Sequence, residues 1–146
     1  MIRYYLLIMG IFLAFGLIPK SHRLMNALAA GNGMLHLVVS CVALSVLDLP
    51  GRLGESLYLD HLNLYVELIT ALGFTAAAFY ARGYTDSLME AGELDPKNLK
   101  TFYLAFNLLL ITATVALFSD NLALFWIFAE LTTVCAAMLV AILSAR

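Results

Sequence analysis

The sequence predicts an all-α membrane protein, a single polytopic domain over residues 1–146 with about five transmembrane helices, N-terminus outside and C-terminus cytoplasmic. Three observations predict it: an excess of hydrocarbon, five apolar stretches of spanning length, and basic residues gathered on one side. Of the 146 residues, 63% are apolar and 12% charged, and the mean hydropathy is +0.93. Soluble domains carry about 45–50% apolar and about 25% charged residues. A chain this short lacks the interior volume to hide the difference. An ordinary soluble globule and a disordered chain are both excluded. The net charge of −2 gives no sign of a nucleic-acid partner. The expected location is the cell (inner) membrane, with the lipid bilayer as solvent.

The helices are expected at about 2–18, 26–47, 62–80, 102–118 and 122–143, each near the roughly 17–25 residues that cross a bilayer core. The first stretch has some features of a secretory signal peptide, with Arg3 ahead of it and Ala27-Leu28-Ala29 behind. That cleavage-like site lies too far beyond the apolar run, past Lys20, His22 and Arg23. With the N-terminus outside, the inner segments hold Lys20, Arg23, Arg82, Lys97, Lys100 and Arg146, and the outer ones only Arg3 and Arg52. The positive-inside rule sets the orientation from this asymmetry.

Between the second and third spans, Pro50, Gly51 and Gly54 precede the alternating Leu57-Tyr58-Leu59, which predicts a turn or small hairpin. Ser87-Leu88-Met89-Glu90 reads as a capping box, opening a short surface helix before Gly92. The surrounding inner loop from Ala81 to Lys100 is a solvated mixed-charge segment that can dock a cytoplasmic subunit. Asp95-Pro96 predicts a cap followed by proline in the first turn of the fourth span. Ser119-Asp120-Asn121 is short enough to make spans four and five antiparallel neighbours, with Asp120 as the structural N-cap of the fifth. Cys41 and Cys135 sit in apolar stretches and are expected to be buried thiols.

The polar residues inside the spans carry the functional information. Glu130 lies eight positions after Leu122, about 12 Å along a helix and therefore near mid-bilayer, where a charge costs roughly 2.5–3.5 kcal/mol. Burial disfavours a charged carboxylate and a nearby cation favours it, so such a group takes up or releases a proton as its surroundings change. Glu130 is accordingly a candidate proton relay, with a permanently protonated, helix-bridging carboxyl as the alternative. Asp60, Asn63, Glu67 and Thr70 share one face of the third span. Glu67 is a candidate secondary relay on a hydrated path, or else a wet carboxylate near the surface. Asn26, Ala29, Gly33, His36 and Ser40 share a face of the second span. There Ala29 and Gly33 suit close packing, and His36 is a candidate secondary relay or a hydrogen-bonding partner. Asn107 and Thr114 suit helix–helix hydrogen bonding, and Trp126, one turn before Glu130, suits packing. No catalytic triad, phosphate loop, metal-ligand cluster or paired haem ligand is apparent. The chain is expected to carry no cofactor and no metal, and to move an ion rather than transform a substrate.

Three segments carry a family resemblance: Tyr58-Leu59-Asp60-His61-Leu62-Asn63-Leu64-Tyr65, Thr101-Phe102-Tyr103-Leu104-Ala105-Phe106-Asn107-Leu108, and the run from Phe118 through Ser119-Asp120-Asn121 and Trp126 to Glu130-Leu131. The chain resembles the N-terminal five-helix portion of the large antiporter-like membrane subunits. These occur in respiratory complex I, Mrp-type sodium/proton antiporters, and membrane-bound hydrogenase or formate hydrogenlyase complexes. Thr132 and Thr133 lean toward the hydrogenase-like branch. The resemblance implies that Glu130 is the proton-channel glutamate, opposed in the family by a Lys in a broken seventh helix. It assigns no counterpart to Glu67. Because Arg146 follows the fifth span directly, the expectation is a split or truncated subunit of a multi-subunit membrane redox complex. A companion chain would carry the missing helices and buried lysines, and partner subunits would carry the redox cofactors. The rival expectations are a non-pumping structural or assembly subunit and a component of an Mrp-type antiporter. A lone carboxylate does not distinguish proton from sodium.

Overall fold

The computed structural model describes residues 21–144. In chain order the described elements are α1 (His22–Val46), β1 (Gly51–Leu53), β2 (Leu57–Leu59), α2 (His61–Glu90), α3 (Pro96–Phe118) and α4 (Leu122–Ser144). All four helices are long and apolar enough to cross a membrane. The expected span at 2–18 lies outside the described residues.

The helices begin earlier or run longer than their apolar stretches. α1 starts at His22, not near residue 26, because Arg23 extends the helix with its head exposed while the His22 ring bonds Asp86, Thr85 and Tyr103. α2 has 30 residues, about 45 Å at 1.5 Å per residue, against a hydrocarbon core of about 30 Å. Its last turns absorb the surface helix expected at Ser87. Far from opening a new helix, the Ser87 hydroxyl donates to the Gly83 carbonyl at 2.9 Å in the last turns of the same helix. No proline interrupts the helix between His61 and Glu90, and the chain leaves it at Gly92, whose φ is 71°. Gly92 N donates to Met89 O at 3.1 Å and Glu93 N to Leu88 O at 2.9 Å, the paired bonds of a Schellman motif that satisfies the last carbonyls.

The other termini follow local chemistry. Asp60 caps α2 in a reciprocal box with Asn63: Asn63 N donates to Asp60 Oδ1 at 2.8 Å and Asp60 N to Asn63 Oδ1 at 2.9 Å. Asp95 occupies the N-cap position of α3 with proline in the first turn, as expected, although its side chain makes no capping bond. The cap of α4 corrects an expectation. Asn121 Oδ1 accepts from Ala123 N at 2.8 Å, whereas Asp120 pairs with Arg52 at 2.7 Å. Asp120 is drawn out of the helix by the hairpin, since its N–H donates to Ser56 O at 2.9 Å.

The hairpin forms as expected, with Gly51 opposite Leu59 and Leu53 opposite Leu57, and Gly54 supplies a positive φ of 71° in its turn. Leu57 also bridges to Ser119, so the hairpin is stitched to the α3–α4 connection. The bundle therefore has a hairpin end and, opposite it, a Gly92 end.

α1 packs most extensively on α2, and α3 on α4, and the two pairs meet mainly through α3. Gly33 permits the close approach of α1 and α2. A Cβ there would lie 2.5 Å from Thr75 Oγ1 and 3.1 Å from Thr75 Cα. Val38, Val42, Ile69, Leu72, Phe79 and Trp126 are exposed, the pattern of a chain whose surround is apolar. Cys135 is buried, but Cys41 is exposed, correcting the expectation for the latter. Ser40 lies on the packed face of α1, and one residue further turns the side chain about 100° away.

Candidate functional site

The packed faces of α1, α2 and α3 bring three polar side chains together in the interior. His36 Nδ1 lies 2.7 Å from Glu67 Oε1, and both side chains are fully buried. The Thr114 hydroxyl donates to the same Oε1 at 2.9 Å and lies 3.2 Å from His36 Nδ1. Thr114 also reaches the Leu110 carbonyl at 2.9 Å. One residue comes from each helix, so the cluster ties the three together through an imidazole, a carboxyl and a hydroxyl within hydrogen-bond distance of one another. A buried pair of ionisable groups is tolerated only when its partners are in place.

This arrangement corrects the picture of a polar stripe along α2. Asp60 and Asn63 cap the helix, Thr70 bonds back to the Val66 carbonyl at 2.8 Å, and Glu67 alone of the four enters the interior. It is not a wet surface carboxylate. On α1, Asn26, Ala29, Gly33, His36 and Ser40 all lie on the buried face, as their spacing predicts.

A second polar group sits at the Gly92 end. His22 Nδ1 pairs with Asp86 Oδ1 at 2.8 Å, where the Asp86 side chain is 49% exposed. His22 Nε2 lies 2.9 Å from Thr85 Oγ1 and 3.2 Å from the Tyr103 hydroxyl. Asn26 Nδ2 donates to that hydroxyl at 3.2 Å and to the Ala78 carbonyl at 2.8 Å. Between the two groups, Asn32 Nδ2 donates to Asn107 Oδ1 at 3.2 Å, and Asn107 Nδ2 donates to the Tyr103 carbonyl at 2.9 Å. Asn107 and Thr114 therefore join helices as expected. Asn32, Tyr103, Thr85 and the His22–Asp86 pair were not singled out by spacing within single spans. The signal lay in α3, where Tyr103, Asn107, Leu110 and Thr114 recur at helical intervals and are all buried.

Glu130 is placed quite differently. It is exposed on α4, a helix whose buried residue among those described is Cys135. Trp126 Nε1 donates to Glu130 Oε1 at 3.0 Å, so this tryptophan does more than pack. Both line an open, apolar groove with Ala123, Ile127, Leu131 and Val134. Thr132 fastens α4 to the bundle, donating to Thr112 Oγ1 at 3.1 Å. The structure thus joins His36 with Glu67 and leaves Glu130 apart from them. No cluster of three or more metal-ligating side chains occurs among the described residues.

Apolar spans with acids inside them define a helical membrane protein whose polar groups are held within the bundle or offered from one face. The chain is similar to the hydrogenase-4 component F homolog of Methylacidiphilum infernorum (isolate V4), at 32% identity over 124 residues. That alignment covers 84% of this chain and 25% of the relative, so the chain spans about a quarter of the length of the curated protein it matches. No protein-family model matches it. No solved structure matches it.

Proposed function

We propose that the chain is an antiporter-like subunit of a multi-subunit membrane redox complex of the hydrogenase-like kind, in which Glu130 takes up and releases a proton during ion translocation. The observation that carries this reading is the carboxyl of Glu130 on the outward apolar face of α4. A charge presented to lipid near mid-bilayer is costly, whereas one presented to a partner cation is favoured. The partner that fits is a transmembrane helix bearing a lysine, contributed by the membrane arm. Redox chemistry in other subunits then changes the distance between lysine and glutamate. Because Coulomb energy varies as 1/r, a small displacement in a low-dielectric setting suffices to move the proton. The similarity to a hydrogenase component supports the redox setting, and the cell membrane as its location.

The test is Glu130→Gln in the intact membrane complex, reconstituted into proteoliposomes. Assembly is expected to survive while redox-driven proton uptake is lost. Undiminished uptake overturns the reading, and unchanged pumping with poorer assembly favours a structural subunit. Sodium-dependent exchange without an electron donor favours an Mrp-type antiporter.

A further inference from the structure

The seam between α1, α2 and α3 ends differently on its two sides. Toward the hairpin, within one or two turns of His36, Glu67 and Thr114, the same helices contribute Ala43, Leu64 and Phe118 to a buried apolar cluster closed by Leu59. Beyond the buried Ser40 hydroxyl, one turn from His36, this side is filled with hydrocarbon. Toward Gly92, the same helices contribute Asn32 and Asn107, then Tyr103, Asn26 and Thr85, then His22 and the half-exposed Asp86. Asn32, Tyr103 and Thr85 are at most 1% exposed, so hydrogen-bonding groups continue from the surface deep into the bundle.

Two acceptors on this line are buried without a hydrogen bond from the described residues, Asn32 Oδ1 and Glu67 Oε2. Such atoms carry a desolvation cost that a donor would remove. Asn32 lies one turn from His36, on the side away from the apolar cluster. Water can supply the donors where several polar partners converge.

We propose that His36, Glu67 and Thr114 form a proton-binding site loaded from the Gly92 end alone, through Asp86, His22, Tyr103, Asn26 and the Asn107–Asn32 step. The site rests on the reading above only in that the chain lies in a bilayer, and it is separate from Glu130. With Glu67 ionised and His36 neutral, the cluster carries one negative charge. A proton from water on the Asp86 side binds to the imidazole or the carboxylate and makes the cluster neutral, and the same proton returns to water on the same side. Thr114, donating to Oε1, steadies the carboxylate in the charged state. Among the described residues, the ionisable groups at the cluster are His36 from α1 and Glu67 from α2, with only a hydroxyl from α3. α4 carries Glu130 on its exposed face. The ionisable groups of the mouth are His22, Tyr103 and Asp86, with Arg23 and Arg82 exposed nearby in sequence.

The experiment follows the Glu67 carboxyl by infrared hydrogen–deuterium exchange, using the full chain in lipid nanodiscs. Its band is assigned by its loss in Glu67→Gln. The band is expected to titrate with pH. Tyr103→Phe and Asp86→Asn should each slow exchange by about tenfold, the scale of one lost hydrogen bond in a relay, while Phe118→Leu leaves the rate unchanged. Asp86 is half-exposed, so its variant keeps the test open if Tyr103→Phe does not fold. A carboxyl that does not titrate, a rate indifferent to both mouth variants, or a rate governed by Phe118 overturns the proposal. Pumping does not enter this measurement, so it stands or fails separately from the role of Glu130.

Discussion

Glu67 and Glu130 are both carboxylates within apolar helices, and the bundle treats them in opposite ways. Glu67 is enclosed, with an imidazole at 2.7 Å and a hydroxyl at 2.9 Å on the same oxygen. Glu130 stands on the exposed face of α4, bonded to Trp126 of its own helix. The first acid belongs to the architecture of this chain. The second bonds within its own helix and lies open on the face of α4. Hydropathy does not separate the two cases, because both lie in stretches of spanning length. What separates them is whether other helices supply partners at the same depth.

Stability measurements on the purified chain in detergent can break or sharpen that contrast. His36→Leu is expected to have the largest effect, destabilising by about 3–5 kcal/mol, because it leaves a buried carboxylate without its ionisable partner. His36→Leu combined with Glu67→Leu should recover much of that loss. If the single variant is as stable as the parent, the buried pair is not what holds the seam. Thr114→Val removes one hydrogen bond to the same oxygen and should cost about 1.5–3 kcal/mol, read from the denaturation midpoint.

Gly33→Ala should cost about 1–3 kcal/mol by overpacking, since the new methyl meets backbone as well as the Thr75 hydroxyl. Gly73→Ala is its control. A Cβ there meets nothing within 4 Å, and alanine is expected to stabilise the helix by up to about 1 kcal/mol. The smallest effect belongs to Glu130→Gln, which should change the stability of the chain by less than about 0.5 kcal/mol, as for surface substitutions elsewhere. A large loss would show that Glu130 is structural within this chain, and the contrast with Glu67 would collapse.

Much of the fold could be read from the sequence where one residue type decides an outcome. Pro96 and Gly92 mark a helix start and stop, and Gly51 with Gly54 marks the hairpin. The buried face of α1 follows from five residues at helical spacing. Helix lengths were harder, because a charged residue ends an apolar stretch without ending a helix; Arg82 and Asp86 lie well inside α2. The cap of α4 moved from Asp120 to Asn121 because Arg52 and Ser56, distant in sequence, compete for Asp120. The same limit applies to the candidate site. Spacing placed His36 and Glu67 on faces of their own helices, but only packing could bring those faces together with Thr114. Tyr103 was visible as an aromatic residue, and its role as a junction depends on His22 and Asn26 arriving from α1.

The hairpin has a mechanical consequence. Its strands join the α1–α2 connection, and its contacts with Ser119 and Asp120 bind the α3–α4 connection to the same point. All four helices are thus tied at one end like the arms of tweezers, while at the other end α2 and α3 are joined by a short loop beyond Gly92. At that far end α1 is held to α2 and α3 by side chains, His22 to Asp86 and Asn26 to Tyr103, rather than by backbone pairing. Spin labels at the Gly92 end should therefore report a broader spread of distances than a pair beside the hairpin.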